Sequence, residues 1–220
     1  MRLQTTYWRM NPGKMFLVDA SAIISNDNRL CTDNIHVMKN TIRIHIGGLH
    51  ASSGSTIIET TLGSCVAVCL YDPLEKIGGM NHILLPGKAD MLHFDSAARY
   101  GVNAMELLIN RIMTIGGNRF QLVAKVFGGA HLFPSISIEN GVGKKNAEFV
   151  VAFLRMEKIR IIGCDLGGHD SRKIYFHTDT GDVFLQRISS ASYSKIDQRE
   201  KNLMRKIRKQ TEKPTKITLF

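Results

Sequence analysis

The sequence predicts an α/β or α+β fold: a layered sandwich in which a mixed β-sheet is covered by two main helices. Short apolar stretches with the alternation or β-branched composition of strands recur along the middle of the chain. Two longer segments show the periodicity of amphipathic helices. The chain has 220 residues, of which 44% are hydrophobic, and this is enough for the core of one domain.

The elements follow in a regular order, bounded by glycine, proline and aspartate. Asp95 or Ser96 can cap the first helix, and Gly116-Gly117 ends it. Glycines and serines at residues 47–48 and 52–55 predict a loop. Strands are predicted at residues 41–46, 56–61, 66–71, 77–85, 122–127, 160–164, 173–177 and 182–188, and helices at 96–115 and 144–157.

Residues 60–86 combine a β-hairpin pattern with a cysteine and a histidine. If Pro73-Leu74 forms the centre of a two-residue turn, Cys65 lies directly opposite His82. Directly opposite residues have Cβ atoms roughly 4.5 to 5.5 Å apart, which is within reach of a hydrogen bond between thiol and imidazole. An adjacent imidazolium stabilises a thiolate, so this pair could supply a nucleophile and its base.

The same two residues also have a purely structural interpretation. A buried cysteine packs as a small hydrophobic side chain, and a histidine on an apolar strand is usually a satisfied core residue. Composition and spacing leave both interpretations of Cys65 and His82 open.

Short motifs in a fixed order add to this pattern. They are LGSCV at 62–66, DP at 72–73, GMNH at 79–82, LP at 85–86, RY at 99–100, AMELL at 104–108, AKVFGGA at 124–130, NAEF at 146–149, DLGG at 165–168 and RKIYF at 172–176. Together they resemble the chemoreceptor glutamine deamidase family, CheD, of bacterial chemotaxis, over roughly residues 40 to 188. The resemblance implies a layered α/β sandwich of the kind shared with some bacterial deamidating toxins.

The resemblance implies a protein-glutamine deamidase that hydrolyses glutamine side-chain amides of methyl-accepting chemotaxis receptors to glutamate, with release of ammonia. Cys65 would attack the amide carbon to form a thioester, and His82 would assist. Backbone N–H groups near Ser64 and Cys65 are expected to hold the oxyanion. No metal or organic cofactor is expected.

A threonine completes the site in the family, and its position in this chain is open. Some members carry it six positions before the cysteine, where this chain has Glu59, followed by Thr60 and Thr61. An extended strand alternates faces, so Thr61 shares the face of Cys65 if the strand stays regular through the glycine. Thr61 is therefore favoured over Thr60, although strand propensity alone explains either residue.

Later residues are further candidates for the site. The resemblance implies that Gly167, Gly168 and Arg172 shape a substrate groove, and Arg172 is equally expected as a structural ion-pair partner. The spacing of the metal-capable residues Cys164, Asp165, His169, Asp170 and His177 matches no standard zinc pattern, so no metal site is expected.

The net charge of +10 is concentrated near the end of the chain. Residues 195–220 contain nine lysines or arginines and three acidic residues. This pattern predicts a basic tail at 189–220 after a deamidase domain at 41–188, preceded by an extension at 1–40 whose role is unknown. The tail is expected to be solvated or to contact an acidic surface, and few aromatic residues are available to bind nucleic acid by stacking.

Partners and location follow from the resemblance and from the cysteines. A working thiol suits a reducing cytoplasm, and no apolar stretch approaches the ~20 residues of a membrane span. Chemoreceptors are the expected partners, and a CheC-type phosphatase is a possible second one. The alternative function is a non-catalytic or weakly catalytic adaptor that binds receptors or that phosphatase. A protease or acyl transferase would use the same pair of residues.

Overall fold

The computed structural model describes residues 7–11, 14–18, 39–132 except 86, 88, 92 and 94, then 141–188, and positions 202 and 205. These residues form two β-sheets and two main helices in three layers. The predicted basic tail lies outside the described residues except at positions 202 and 205, as does most of the predicted extension. The division into extension, domain and tail stays a prediction.

The outer sheet has six strands in the order β2-β1-β11-β10-β5-β3. The pair β3 and β5 is parallel, and the other neighbours are antiparallel. The hairpin of β1 and β2 belongs to the predicted extension and adds to the sheet along β11. The strands are β1 (Tyr7–Asn11), β2 (Lys14–Val18), β3 (Asn40–Arg43), β5 (Thr56–Leu62), β10 (Ser171–His177) and β11 (Val183–Ile188).

The inner sheet has five strands in the order β4-β7-β6-β8-β9, with β8 and β9 parallel. Every residue of β7 and β8 is buried, because the outer sheet covers one face and the helices cover the other. The strands are β4 (Leu49–Ser52), β6 (Val66–Asp72), β7 (Ile77–Ile83), β8 (Val123–Gly128) and β9 (Arg160–Leu166).

Two amphipathic helices form the third layer: α1 (Ser96–Thr114) and α2 (Val142–Met156). The carboxylate of Asp95 caps α1 by accepting the N–H of Ala98. The second helix begins two residues before its predicted start, and it connects the parallel strands β8 and β9. No helix in the described ranges is long and apolar enough to cross a membrane.

Alternation along β6 separates the core into two apolar layers. Val66, Val68 and Leu70 pack with the helices, and the opposite face lies between the two sheets. Cys65, Ala67 and Cys69 therefore lie in the layer between the sheets, which also contains Ile58, Leu62, Met80, Leu84, Phe127, Ile174 and Phe176.

The predicted fold class is confirmed, with one difference in architecture. The sequence predicted one mixed sheet, and the structure has two sheets, each with one parallel pair. The strand β4 was not expected, since it lies between the two segments predicted as a loop. As the edge strand of the inner sheet, it is held by hydrogen bonds to β7, and these depend on tertiary contacts, which periodicity does not report.

Candidate active site

The hairpin of β6 and β7 has a different register from the predicted one. Ala67, not Cys65, lies directly opposite His82, and Val66 lies opposite Ile83. The connecting loop contains four residues, 73–76, where two central residues were predicted. The predicted direct pairing of Cys65 with His82 is therefore wrong by two positions.

Asp72 explains the longer turn. Its side-chain Oδ1 accepts the backbone N–H of Leu74 at 3.0 Å and of Glu75 at 3.1 Å. Lys76 then adopts a left-handed conformation, with φ of 54°, before β7 begins. A short aspartate side chain stabilises such a turn by replacing strand hydrogen bonds with local ones.

The observed register differs from the predicted one by two residues. Because two is an even number, Cys65 and His82 still lie on the same face of the inner sheet. Cys65 is two residues before Ala67, so it is the diagonal neighbour of His82. Diagonal neighbours have Cβ atoms roughly 7 to 8 Å apart, a gap that an imidazole and a thiol together can span. Both residues lie inside the sandwich, with Cys65 0% and His82 3% exposed.

Residues 63–64 form an elbow at which the chain passes from β5 of the outer sheet to β6 of the inner sheet, and Cys65 follows this elbow directly. The N–H of Ala130 donates to the carbonyl of Gly63 at 2.9 Å, and the N–H of Gly129 donates to the carbonyl of Cys65 at 2.7 Å. A Cβ atom on Gly128 would lie 2.1 Å from that Cys65 oxygen, and its φ is +117°. Only glycine fits this close approach, which holds the cysteine backbone in place.

Asn146 of α2 connects the elbow to the end of β7. Its Nδ2 donates to the carbonyl of Ser64 at 2.9 Å, and its Oδ1 accepts the N–H of Leu85 at 2.9 Å. In the sequence Asn146 stands out only as part of the NAEF motif, although a polar residue on the buried face of an amphipathic helix indicates a specific hydrogen-bonding partner. Ser64, predicted to bind substrate, is itself 4% exposed.

Thr60 orients the imidazole of His82. Its Oγ1 lies 2.9 Å from the carbonyl oxygen of Ile44 and 2.8 Å from Nδ1 of His82. A carbonyl can only accept, so the threonine hydroxyl donates its proton to Ile44 and accepts the N–H of His82 Nδ1. The hydrogen-bond network thus assigns the histidine proton to Nδ1. Among the described residues, its Nε2 is buried and has no hydrogen-bond partner.

Burial lowers the pKa of His82 to about 3, and the neighbouring His45 contributes to this decrease. Its imidazole is therefore neutral near pH 7. This low pKa disfavours the expected imidazolium on His82. A neutral His82 can instead accept a proton from a thiol when the reaction begins.

The geometry selects Thr60 and corrects the preference for Thr61. Thr61 lies opposite Lys173 in the outer sheet, on the other face of β5 from Thr60. The strand ends at Leu62 and the chain bends at the elbow, so the alternation does not continue to Cys65. Glu59 also lies on that other face, with ion pairs to Arg43 at 2.5 Å and to Lys173 at 2.8 Å.

Arg172 is a buried structural residue. It is 0% exposed, forms an ion pair with Asp165, and donates to the carbonyl oxygens of Gly128 and Gly167. These contacts hold the ends of β8 and β9 together. Of its two predicted roles, the structure shows the ion pair, and Arg172 does not line the cavity at these strand ends.

Gly167 and Gly168 line that cavity, which has a volume of about 260 Å³. Both glycines have positive φ angles, +77° and +71°. Gly129 also lines the cavity and donates its N–H to the Cys65 carbonyl, so one wall adjoins the elbow. The remaining lining residues are His131, Lys144, Ala147, Leu166 and His169.

Tyr100 of α1 lies at the edge of the buried pair. It is half-buried, and its hydroxyl is 3.6 Å from the place that a Cβ on Gly47 would take. Burial raises the pKa of Tyr100, and the negative charge of a Cys65 thiolate would raise it further. Tyr100 is therefore close enough to Cys65 to respond to its ionisation.

Comparison with known proteins identifies the family. The family model described as "CheD chemotactic sensory transduction" matches residues 84–187, a range that begins just after His82. A Shewanella oneidensis protein named "Probable chemoreceptor glutamine deamidase CheD 1" is 46% identical over 168 residues, which cover 75% of this chain and 81% of that protein. Because it covers so much of the chain, this alignment spans the segment from Cys65 to His82.

Two further relatives have similar names. A Vibrio vulnificus protein, "Probable chemoreceptor glutamine deamidase CheD", is 37% identical over 188 residues, covering 81% of this chain and 86% of that protein. A Stenotrophomonas maltophilia protein of the same name is 51% identical over 144 residues, covering 64% of this chain and 70% of that protein. Identity at this level over most of both chains shows that this chain belongs to the CheD family.

Proposed function

We propose that this chain is a protein-glutamine deamidase that hydrolyses glutamine side chains of methyl-accepting chemotaxis receptors to glutamate. The names of its relatives support this activity. The observation that carries the proposal is the hydrogen bond from His82 Nδ1 to Thr60, which leaves the Nε2 lone pair of His82 in the buried layer that contains Cys65.

The first step is attack by the thiol. As Sγ of Cys65 bonds to the amide carbon, its proton passes to Nε2 of His82, and the carbonyl oxygen becomes an oxyanion. Thr60 continues to accept the Nδ1–H and so stabilises the imidazolium as it forms. Backbone N–H groups at the elbow are the proposed donors to the oxyanion.

The second half of the reaction releases both products. The C–N bond breaks, the proton on His82 Nε2 passes to the leaving nitrogen, and ammonia departs from a thioester on Cys65. Water then attacks the thioester carbon and gives a proton to His82, and the thiol leaves protonated. One glutamine side chain and one water give one glutamate side chain and one ammonia.

Intact-mass spectrometry of receptor cytoplasmic fragments tests this function. The wild-type chain should add about 1 Da per modified glutamine, and Cys65→Ala should add none. Cys69→Ala is the matched control, since Cys69 is also buried in the layer between the sheets, four residues after Cys65, and it should retain activity. Activity in Cys65→Ala would contradict the proposal, and cleavage of the fragment would indicate a protease.

The adaptor function has one observation in its favour, the complete burial of Cys65. If the site does not open, the chain can bind receptors without modifying them. Stable binding of the same fragments by the wild type with no mass change would support the adaptor. The CheC-type phosphatase stays a predicted partner of either function.

A further inference from the structure

The cavity beside the elbow is mostly apolar, and among the residues that the structure describes its lining includes no acidic side chain. Its polar side chains are those of His131, Lys144 and His169, and the two imidazole rings lie edge to face with centroids 5.9 Å apart. Lys144 is the charged member, and its side chain is 44% exposed. A lysine ammonium and imidazole N–H donors at the wall of a mostly apolar cavity suit a carboxylate.

The backbone around the cavity allows close approach of a ligand. Gly129, Gly167 and Gly168 lack side chains that would fill it, and they follow the carboxyl ends of the parallel strands β8 and β9. Lys144 comes from the first turn of α2, the helix that connects these strands. In α/β units, ligands commonly bind at the carboxyl ends of parallel strands.

A second, shallower depression lies beside the cavity on α2. Ala147 lines both the cavity and a shallow depression of about 300 Å³ on the helix, which extends to Arg155. A free small anion would use only the cavity, whereas a polypeptide would also cover the apolar side of this depression, formed by Ala147, Val151 and Ala152. The adjoining depression therefore favours a protein side chain as the source of the carboxylate.

We propose that this cavity binds an acidic side chain located near the target glutamine, so that the enzyme selects glutamines in acidic segments. This inference rests on the proposed function. The link to the reaction is Gly129, which lines the cavity and donates its N–H to the Cys65 carbonyl at 2.7 Å. A carboxylate held there would fix the substrate segment next to the elbow that carries the nucleophile.

Lys144 already has one weak partner. Its Nζ lies 3.7 Å from the carboxylate of Glu148, one turn later on α2. Both side chains are largely solvated, so this pair is weak and a substrate carboxylate can replace it. Removing Glu148 should therefore strengthen binding of an acidic segment, whereas removing the Lys144 charge should weaken it.

Binding of labelled helical peptides to the Cys65→Ala chain tests the inference without turnover. Each peptide carries one glutamine and either no acid or a single glutamate at one of the four positions on either side. At least one placement should tighten binding by about threefold to tenfold. Lys144→Gln should abolish this gain, and Glu148→Gln should increase it. Lys145→Gln removes the same charge as Lys144→Gln from a position next to the cavity lining, and it should leave the gain in peptide binding unchanged.

Three results would overturn the inference. The first is that no glutamate placement tightens peptide binding, and the second is that Lys144→Gln and Lys145→Gln change the binding gain equally. The third is full competition of peptide binding by millimolar acetate or phosphate, which would indicate a free-anion site. Turnover by the chain with intact Cys65 separates the two proposals. Deamidation without glutamate dependence contradicts the cavity alone. A glutamate gain in binding without any deamidation contradicts the proposed function alone.

Discussion

At the scale of single residues, the site depends on which nitrogen of His82 carries its proton. The Ile44 carbonyl takes the only proton of the Thr60 hydroxyl, and this leaves Thr60 as an acceptor for Nδ1. The sequence pattern favoured Thr61 as the partner of Cys65 and His82, because the alternation of β5 was extended through Gly63, where the chain bends. The structure instead places Thr60 against His82, and β5 ends at Leu62, before that bend.

Replacing Thr60 by valine should lower kcat by about 10- to 100-fold with a smaller change in KM, because the imidazole loses its orienting acceptor. Thr61→Val is the matched control, since its side chain lies on the other face of β5, and it should change kcat by less than about twofold. Thr60→Ser keeps the hydroxyl and should restore most of the activity. Equal losses in the two valine variants would show that Thr60 has no special role.

At the scale of elements, the elbow and the hairpin place Cys65 and His82 on the same face of the inner sheet. Most strand positions were predictable because they depend on local periodicity, although β4 was not. The register was not predictable either, since Asp72 selects a four-residue loop through its side-chain hydrogen bonds. The contact of Gly128 with the Cys65 carbonyl joins strands distant in sequence. The paired glycines of the AKVFGGA motif indicate a close backbone approach, and the structure shows that the Cys65 carbonyl is the group approached.

Gly128→Ala should destabilise the chain by about 2 to 4 kcal/mol and reduce activity, because the new Cβ meets the Cys65 carbonyl and the φ angle disfavours alanine. Gly87→Ala is the control, since a Cβ there meets nothing within 4 Å. Urea unfolding at neutral pH measures both. If Gly128→Ala unfolds with the same midpoint as Gly87→Ala, the close approach at the elbow does not hold.

At the scale of the whole molecule, polar groups are buried at both ends of the sandwich. His82 lies near the elbow, and His177 lies at the other end, where Lys39 and Asp179 form an ion pair at 2.8 Å. Burial, assisted by Lys39, lowers the pKa of His177 to about 4. The sequence predicted one sheet covered by two helices, whereas the division into two sheets, and the pairing of the hairpin Tyr7–Asn11 and Lys14–Val18 with the outer one, depend on contacts over a long separation.

These two histidines should make the chain less stable in mild acid. Both are neutral when folded, while an unfolded histidine has a pKa near 6.5, so unfolding takes up protons below that pH. Their contribution to the free energy of unfolding is complete above about pH 6.5. It is lost as the pH falls towards 4, by up to ~1.4 kcal/mol per pH unit for each histidine.

Urea unfolding at pH 7, 6 and 5 measures this dependence. His82→Gln should remove about one proton from the uptake on unfolding, which reduces the slope of stability against pH. A slope equal to that of the wild type would mean that His82 is protonated in the folded chain.

The proton position on His82 is the most direct test of the whole account, because the thiol of Cys65 needs a free lone pair on Nε2. Nitrogen-15 NMR of the chain with labelled histidine imidazoles reports this position at pH 7, and His82→Gln assigns the signal. The account predicts a neutral ring with the proton on Nδ1, and Thr60→Val should disturb this state. A ring protonated on Nε2, or an imidazolium at pH 7, would contradict it.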